Sequence, residues 1–570
     1  MEWNKKLILF LEQLGVKHYF GCNGGGVIHF TKHLSNKETS LHSEFFHYSE
    51  YNAGFAPIGH YLATQEIACS VSTTGAAQKL AANGASDARF MGVPSIYIMA
   101  LSSKANYQRY PLQDTSDDGI NIVKQFQAEF KDSVIWIKQD SDLNSLFSRI
   151  KKILSQNQPV ILFYHPEILC EQVHDGFDEK HTLTHQPPIT SKALKPMIET
   201  LSKPDLHRRV VVFVGSEAAI DGVCPKVFQR FVEKIHAQVI YSVNGDNTAI
   251  LTEKRNLGHI MLGGNLAAVD AWQTIKKNDV LICLGIDVWE YVLNLKKVPE
   301  CQSVCFTHHT NAYGQINGQY QHVFHQNHLQ INGRIQSSLE QFLTSTTAIT
   351  FPKNMQFLNK EDVLSHFQPQ RNKVNLIDFY KRIDQLWQKQ SIAFEDVCIA
   401  YRDRQAILKQ PNHKVKFFTA NHGSAMGCSF GLGVGAAIAD PQQKVFIFTG
   451  DGCFQLFGGS LNQAAKLNMT LFILNNGQLS LIRDGCKTIL QKSTEKTDHA
   501  DLAKIEWDSL AKAFGWRYFR VQPDLSNLAD IMQASYDSNP TSILVDIPID
   551  PGQVVGINYR YANITKDSHL

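Results

Sequence analysis

Residues 444–478 read KVFIFTGDGCFQLFGGSLNQAAKLNMTLFILNNGQ. KVFIFT predicts a strand that delivers Asp451 to its carboxyl end, and ligands of open α/β sheets sit in the crevice beyond those ends. Gly450 and Gly452 permit a tight turn and a close backbone approach. A helix expected from Phe454 to about Asn468 would offer its amino terminus to an anion. MTLFILNN returns as the neighbouring strand and brings Asn475 and Asn476 to the same sheet edge. Carboxylate, amide and main-chain carbonyl oxygens are hard donors suited to Mg2+, which also takes phosphate oxygens. The chemistry suggested is a diphosphate held through a divalent ion. The same residue types also suit a plain strand–helix–strand unit that uses Gly, Asp and Asn as turn formers.

A Gly-Asp-Gly upstream of an Asn-Asn resembles the motif of thiamine diphosphate enzymes, and GDGCFQLFGG with LFILNNGQ is similar to it throughout. The resemblance implies a metal held by Asp451, Asn476 and the main-chain carbonyl of Gln478. It also implies that Gly450, Gly452, Cys453, Leu479, Ser480 and Leu481 complete the cofactor-binding loops. HYSEYNAGFAPIGHYLAT is similar to the family segment in which a Glu precedes an Ala/Gly-rich helix, which assigns the catalytic carboxyl to Glu50. Hydrogen-bonded to N1′ of the aminopyrimidine, that group would promote the tautomer that takes the C2 proton of the thiazolium, and desolvation would make it a better proton donor. Alone, Glu50 suits a solvated acid at a helix start. ANHGSAMGCSFGLGVGAA resembles the family segment in which a bulky apolar residue wedges beneath the cofactor. That residue is Met426, acting by positioning, with the Ser424 and Met426 backbones on the pyrimidine edge. A core position is the commoner fate of a Met.

Finer features resemble the acetolactate-synthase-like branch. YFGCNGGGVIHF is similar to its Gly-rich turn, where the backbone of Gly24 and Gly25 would approach a substrate carboxylate. YPLQDTSDDG resembles its FQE segment and puts Gln113 near the reacting carbons. Ile482 lines the substrate pocket where enzymes like pyruvate decarboxylase carry a Glu, and their His-His pair has no match here. Ligation to a second carbonyl is therefore expected over release of a free aldehyde. STTGAAQ departs from the family's Ser-Gly-Pro-Gly turn. His47 and His422 stand near expected cofactor contacts, and each suits either a proton shuttle or a pocket lining. The resemblance implies a thiamine-diphosphate- and Mg2+-dependent carboligase acting on a 2-oxo acid, with pyruvate first. The alternatives are a simple 2-oxo acid decarboxylase, a C–C bond hydrolase, or a catalytically silent homologue serving as a regulatory subunit. A homodimer or homotetramer is implied, with the cofactor between the first domain of one subunit and the third of another.

Three α/β blocks must position these groups: about 1–175, 191–345 and 376–570. Each alternates apolar strands with helical stretches, which predicts doubly wound parallel sheets. The resemblance names them pyrimidine-binding, central Rossmann-like and diphosphate-binding domains. THQPPIT at 184–190 and the polar stretch 346–375 read as connectors. Blocks one and three share a plan, NAGFAPIGHYLAT then IACSVSTTG in one, and MGCSFGLGVGAAIAD then KVFIFTGDG in the other. In the middle block VFVGSEAAIDG lacks the full GxGxxG, which leaves FAD open. THHTNAYGQINGQYQHVFHQNH lacks HExxH and Cys pairs, so loop or surface histidines are expected.

At 570 residues the chain exceeds one core. Its 55 Lys and Arg against 53 Asp and Glu leave +2, which gives no charge-driven pull toward nucleic acid or membrane. Eleven cysteines without a CxxC fit reduced thiols in a cytoplasm. In MEWNKKLILFLEQLG, Glu12 breaks the apolar run while Trp3, Leu7, Phe10, Leu11 and Leu14 recur at helical spacing. A first helix is expected there rather than a signal peptide. No apolar run is long enough for a membrane helix.

Overall fold

The computed structural model describes all residues except 1, 36–41, 139–140, 173–182, 184–188, 206, 252–253, 261–263, 287–289, 294–296, 309–323, 325–327, 363, 365–366, 399, 491–498, 554 and 556–570. Most of the 184–190 connector lies outside the described residues. Among those described, no helix is long and apolar enough to cross a membrane.

Among the described residues, eighteen strands form three six-stranded parallel sheets. The first holds β1 (His18–Gly21), β2 (Glu44–His47), β3 (Cys69–Ser72), β4 (Ile96–Ala100), β5 (Val134–Ile137) and β6 (Val160–Tyr164), in the order β2-β1-β3-β4-β6-β5. The second holds β7 (Val210–Val214), β8 (Gln238–Tyr241), β9 (Asn256–His259), β10 (Val280–Leu284), β11 (Gln302–Thr307) and β12 (His328–Asn332), ordered β12-β11-β10-β7-β8-β9. The third holds β13 (Ser391–Glu395), β14 (Val415–Phe418), β15 (Lys444–Gly450), β16 (Thr470–Asn475), β17 (Arg517–Arg520) and β18 (Ile543–Pro548), ordered β14-β13-β15-β16-β18-β17. The first and third sheets thus repeat one strand order, as their shared sequence plan suggests. The second has the strand order of dinucleotide-binding folds.

Strands buried on both faces need side chains that are apolar throughout. IYIMA in β4, VVVFV in β7, VLICL in β10 and TLFIL in β16 meet that need, and their burial is complete or nearly so. The Trp3–Gln13 helix is as expected, with Trp3, Leu7, Phe10 and Leu11 inside the first core.

The chain divides into two compact units. One comprises Met1–His185 with Ala420–Val445 and Phe457–Met469. The other comprises Gln186–Thr419 with Phe446–Leu456 and Thr470–Leu570. In the first unit the Glu50–Thr64 and Cys428–Ala439 helices pack backbone to backbone. A Cβ on Gly59 would fall 1.8 Å from the Leu432 carbonyl oxygen, and one on Gly435 would fall 1.9 Å from that of Ala56. Only glycine allows that approach.

The helix expected from Phe454 to Asn468 is corrected. A single turn, Asp451–Phe454, follows β15, and a 3-10 helix spans Gly458–Ala464. The Gly458-Gly459 pair that opens the 3-10 helix disfavours a continuous α-helix, and the helical turn begins three residues earlier than expected, at Asp451 itself.

Candidate functional site

In the first unit the strand order reverses between β1 and β3, the place where open sheets part to admit a ligand. The Gly24–Gly26 turn follows β1. The Gly26 amide donates to the Thr73 hydroxyl at 3.3 Å, and nothing lies within 4 Å of where a Gly25 side chain would start. Gln113, on the loop after β4, has φ +58° and is fixed from two sides. Its side-chain oxygen accepts from the Thr74 hydroxyl at 2.6 Å, and its carbonyl accepts from Ser102 Oγ at 2.8 Å. The Thr-Thr of the departing STTGAAQ turn thus contacts both the glycine turn and Gln113.

Glu50 is half-buried and opens the Glu50–Thr64 helix. His47 ends β2 exposed, with Nε2 3.6 Å from Cys22 Sγ and Nδ1 3.3 Å from the Gln463 side-chain amide. Burial, then the Glu50 charge, raises the Cys22 thiol, so that sulfur stays protonated. Tyr51 donates its hydroxyl to the Met426 carbonyl. Ser424 sits at φ +49° and closes its own turn through a 2.9 Å bond to the Asn421 carbonyl. The His422 ring lies parallel to Phe90, centroids 5.9 Å apart. Tyr51, next to Glu50 in sequence, therefore meets the loop that carries Ser424 and Met426.

In the second unit β15 and β16 run side by side, Gly450 opposite Leu474, and β15 lies at the reversal point of its sheet. Asp451 is 5% exposed. Its Oδ1 accepts from the Gly452 amide at 3.0 Å and its Oδ2 from the Gly477 amide at 2.6 Å. Burial pushes this carboxyl up to about 6 against those backbone donors. Asn476 Oδ1 accepts the Gln478 amide at 3.0 Å, and its Nδ2 donates to Ser480 Oγ at 2.8 Å. The loop is pinned at its far side, where the Leu479 amide donates to Ala500 and the Leu502 amide donates to Gly477. Gly452 faces Leu479, whose Cδ2 lies 2.5 Å from where a Cβ would stand, while Cys453 is buried. Ser480 and Leu481 open the Ser480–Leu490 helix, with Ile482 50% exposed. Asp451, Asn476 and Gly477 line a cavity of about 420 Å3 with Lys373, Tyr518 and Arg520. Asp451, the Asn476 side-chain oxygen and the Gln478 carbonyl are hard oxygen donors of the kind a divalent cation takes, and each accepts a backbone N–H in this structure.

The family model described as thiamine pyrophosphate enzyme, N-terminal TPP binding domain, matches residues 1–122, and the corresponding C-terminal TPP binding domain matches 404–547. The chain thus matches both cofactor-binding domains of thiamine pyrophosphate enzymes. Among such enzymes it is acetolactate-synthase-like. It is 21% identical to the acetolactate synthase large subunit of Lactococcus lactis subsp. lactis, across 96% of this chain and 92% of that one. It is 20% identical to the acetolactate synthase of Mycobacterium avium, across 95% and 86%. In fold it is similar to the thiamine diphosphate-dependent 4-hydroxybenzoylformate decarboxylase of Rhodococcus jostii RHA1, at a TM-score of 0.74 and 14% identity over 96% and 99% of the two chains.

In the central sheet the strand order reverses between β10 and β7, the place where a dinucleotide would sit. The described residues there do not fit a dinucleotide. Gly215 abuts the Gly285 carbonyl, which a Cβ would approach to 2.1 Å. At the start of the Ser216–Ile220 helix, where a diphosphate would bind, Glu217 is buried instead. It accepts from Thr307 Oγ1 at 2.7 Å and from the His308 amide at 2.6 Å. His308 Nδ1 lies 3.2 Å from both Glu217 and Asp221. Burial lifts Glu217 to about 7. The two carboxylates outweigh the effect of burial on His308 and hold its imidazole above its ordinary value. The buried Glu217 thus takes up the helix start, and it, His308 and Asp221 have partners of their own.

His308 also corrects the expectation of loop or surface histidines, since its carboxylate partners draw it into the interior. Residues 309–323 of that segment lie outside the described residues. No group of three or more His, Cys, Asp or Glu is placed to hold a metal among those described. Sequence reasoning missed Thr74, Tyr51 and Asp87. The last had a signal, being the lone acid among the small buried residues of the Ala76–Met91 helix.

Proposed function

We propose that this enzyme uses thiamine diphosphate and Mg2+ to decarboxylate a 2-oxo acid, pyruvate first, and joins the remaining acyl unit to an acceptor carbonyl. The carrying observation is Asp451, a carboxylate withdrawn from water at a strand end beside Asn476 and Gln478, in a chain that both thiamine pyrophosphate models match. When bound, thiamine diphosphate supplies the electron sink that decarboxylation needs.

In this reading Asp451, the Asn476 side chain and the Gln478 main-chain carbonyl hold the ion. The backbone of Gly450, Gly452, Cys453, Leu479, Ser480 and Leu481 surrounds the diphosphate. The Ser424 and Met426 backbones would take the pyrimidine edge, and the Met426 side chain would support the cofactor by apolar contact. Glu50 holds a proton on its carboxyl group and shares it with the pyrimidine ring nitrogen. Gly24 and Gly25 take the substrate carboxylate through backbone N–H groups, and Ile482 closes the pocket with apolar surface. Gln113, immobilised by Thr74, orients the acceptor carbonyl, and His422 is a proton carrier beside the pyrimidine loop. Residues 1–175, 191–345 and 376–570 serve as pyrimidine-binding, central and diphosphate-binding domains of a cytoplasmic homo-oligomer.

The test is to incubate the protein with thiamine diphosphate, Mg2+ and pyruvate together with a panel of aldehyde and ketone acceptors, and to weigh the products. A product carrying the acceptor plus pyruvate less CO2 is expected. Acetaldehyde as the sole product would identify a simple decarboxylase instead.

A further inference from the structure

The Ala76–Met91 helix turns small side chains inward: Ala77, Ala81, Gly84, Ala85 and Ala88 are buried. Asp87 is buried beside them at 0% exposure, a costly place for a carboxylate unless it has a task. Its Oδ1 accepts the Gly423 amide at 2.6 Å, and its Oδ2 accepts from no donor among the described residues. Glycine is required opposite it. A Cβ on residue 423 would stand 2.8 Å from Oδ1 and 3.1 Å from the carboxyl carbon.

The segment held in this way is the loop that carries Ser424 and Met426. One residue before Gly423, His422 stacks on Phe90 of the same helix. One residue after it, Ser424 adopts its left-handed conformation. The far end is tied by Tyr51 to the helix that Glu50 begins. Of these ties only the one from Asp87 is a charge-assisted bond to the middle of the loop, and such bonds are the stronger kind.

We infer that Asp87 is a positioning residue: through the Gly423 amide it sets the conformation of the 421–426 loop, and with it the backbone groups at Ser424 and Met426 that meet the aminopyrimidine. This rests on the proposed role of those backbone groups. Asp87 itself touches neither cofactor nor substrate. Its loss frees the Gly423 amide and lets Ser424 relax from φ +49°, so the pyrimidine end loses its fixed partners while the Asp451 loop is unaffected.

The experiment titrates two probes into full-length wild type, Asp87→Ala and Asp87→Asn, each with Mg2+: thiamine diphosphate and inorganic pyrophosphate. For Asp87→Ala, affinity for thiamine diphosphate is expected to fall tenfold or more, the scale of a lost charged hydrogen bond, with pyrophosphate affinity unchanged. Asp87→Asn keeps the shape and one acceptor oxygen, folds if the alanine variant does not, and is expected to recover part of the loss. Equal weakening of both probes would reduce Asp87 to a general structural role and overturn the inference, as would unchanged thiamine diphosphate affinity in both variants. Wild type that binds pyrophosphate but not thiamine diphosphate would instead strike at the cofactor reading itself.

Discussion

Glu50 and Asp451 divide the proposed chemistry between proton handling and anchoring, and that division is separable by mutation. Glu50→Gln is expected to lower turnover at least a hundredfold, the scale of a general acid–base group, while thiamine diphosphate still binds. Unchanged turnover in a CO2-release assay would remove Glu50 from the mechanism. Asp87 carries a pH signature of its own. Burial, partly offset by the Gly423 amide and His422, raises it from 3.8 to about 6, with Glu129 and Tyr97 as further neighbours. A carboxyl raised in the folded state binds its proton more tightly there than in the unfolded chain. Stability relative to Asp87→Asn therefore falls as pH climbs from about 4 to about 6, by up to about 3 kcal/mol, and levels off above. Thermal midpoints of the two proteins across that window measure the effect, and parallel curves would contradict it.

At the scale of elements, the site is built where strand order reverses, with glycine-bearing turns after β1 and β15. The interior strands β4, β7, β10, β15 and β16 are legible in the sequence because burial on both faces demands an apolar run. Of the six edge strands, β5 is an apolar run, VIWI, but β2, β9, β12, β14 and β17 carry none: EFFH, NLGH, HLQIN, VKFF and RYFR mix polar with apolar residues. The Asp451–Asn476 pairing was readable from a local motif. The hold of Asp87 on Gly423 and of Thr74 on Gln113 was not, because each joins segments whose proximity only the fold creates. The helix pair of the first unit supplies its own test. Gly59→Val would drive a side chain into the Leu432 carbonyl and is expected to cost about 3 kcal/mol, read from the denaturant midpoint. A neutral result would mean that the two helices do not approach this closely.

For the whole molecule, the proposal places Glu50 of one subunit with Asp451 of another. Glu50→Gln and Asp451→Ala chains, each inactive alone, should then complement when co-expressed. Random pairing makes half the dimers mixed, each with one intact site of two, so activity returns to ~25% of wild type. No recovery would place both residues of a site on one chain. The most direct measurement is calorimetric titration of thiamine diphosphate into wild type and Asp451→Ala, each with and without Mg2+. Binding is predicted in wild type only when the ion is present, and not at all in the alanine variant. Normal affinity in Asp451→Ala, or binding indifferent to Mg2+, would contradict the account.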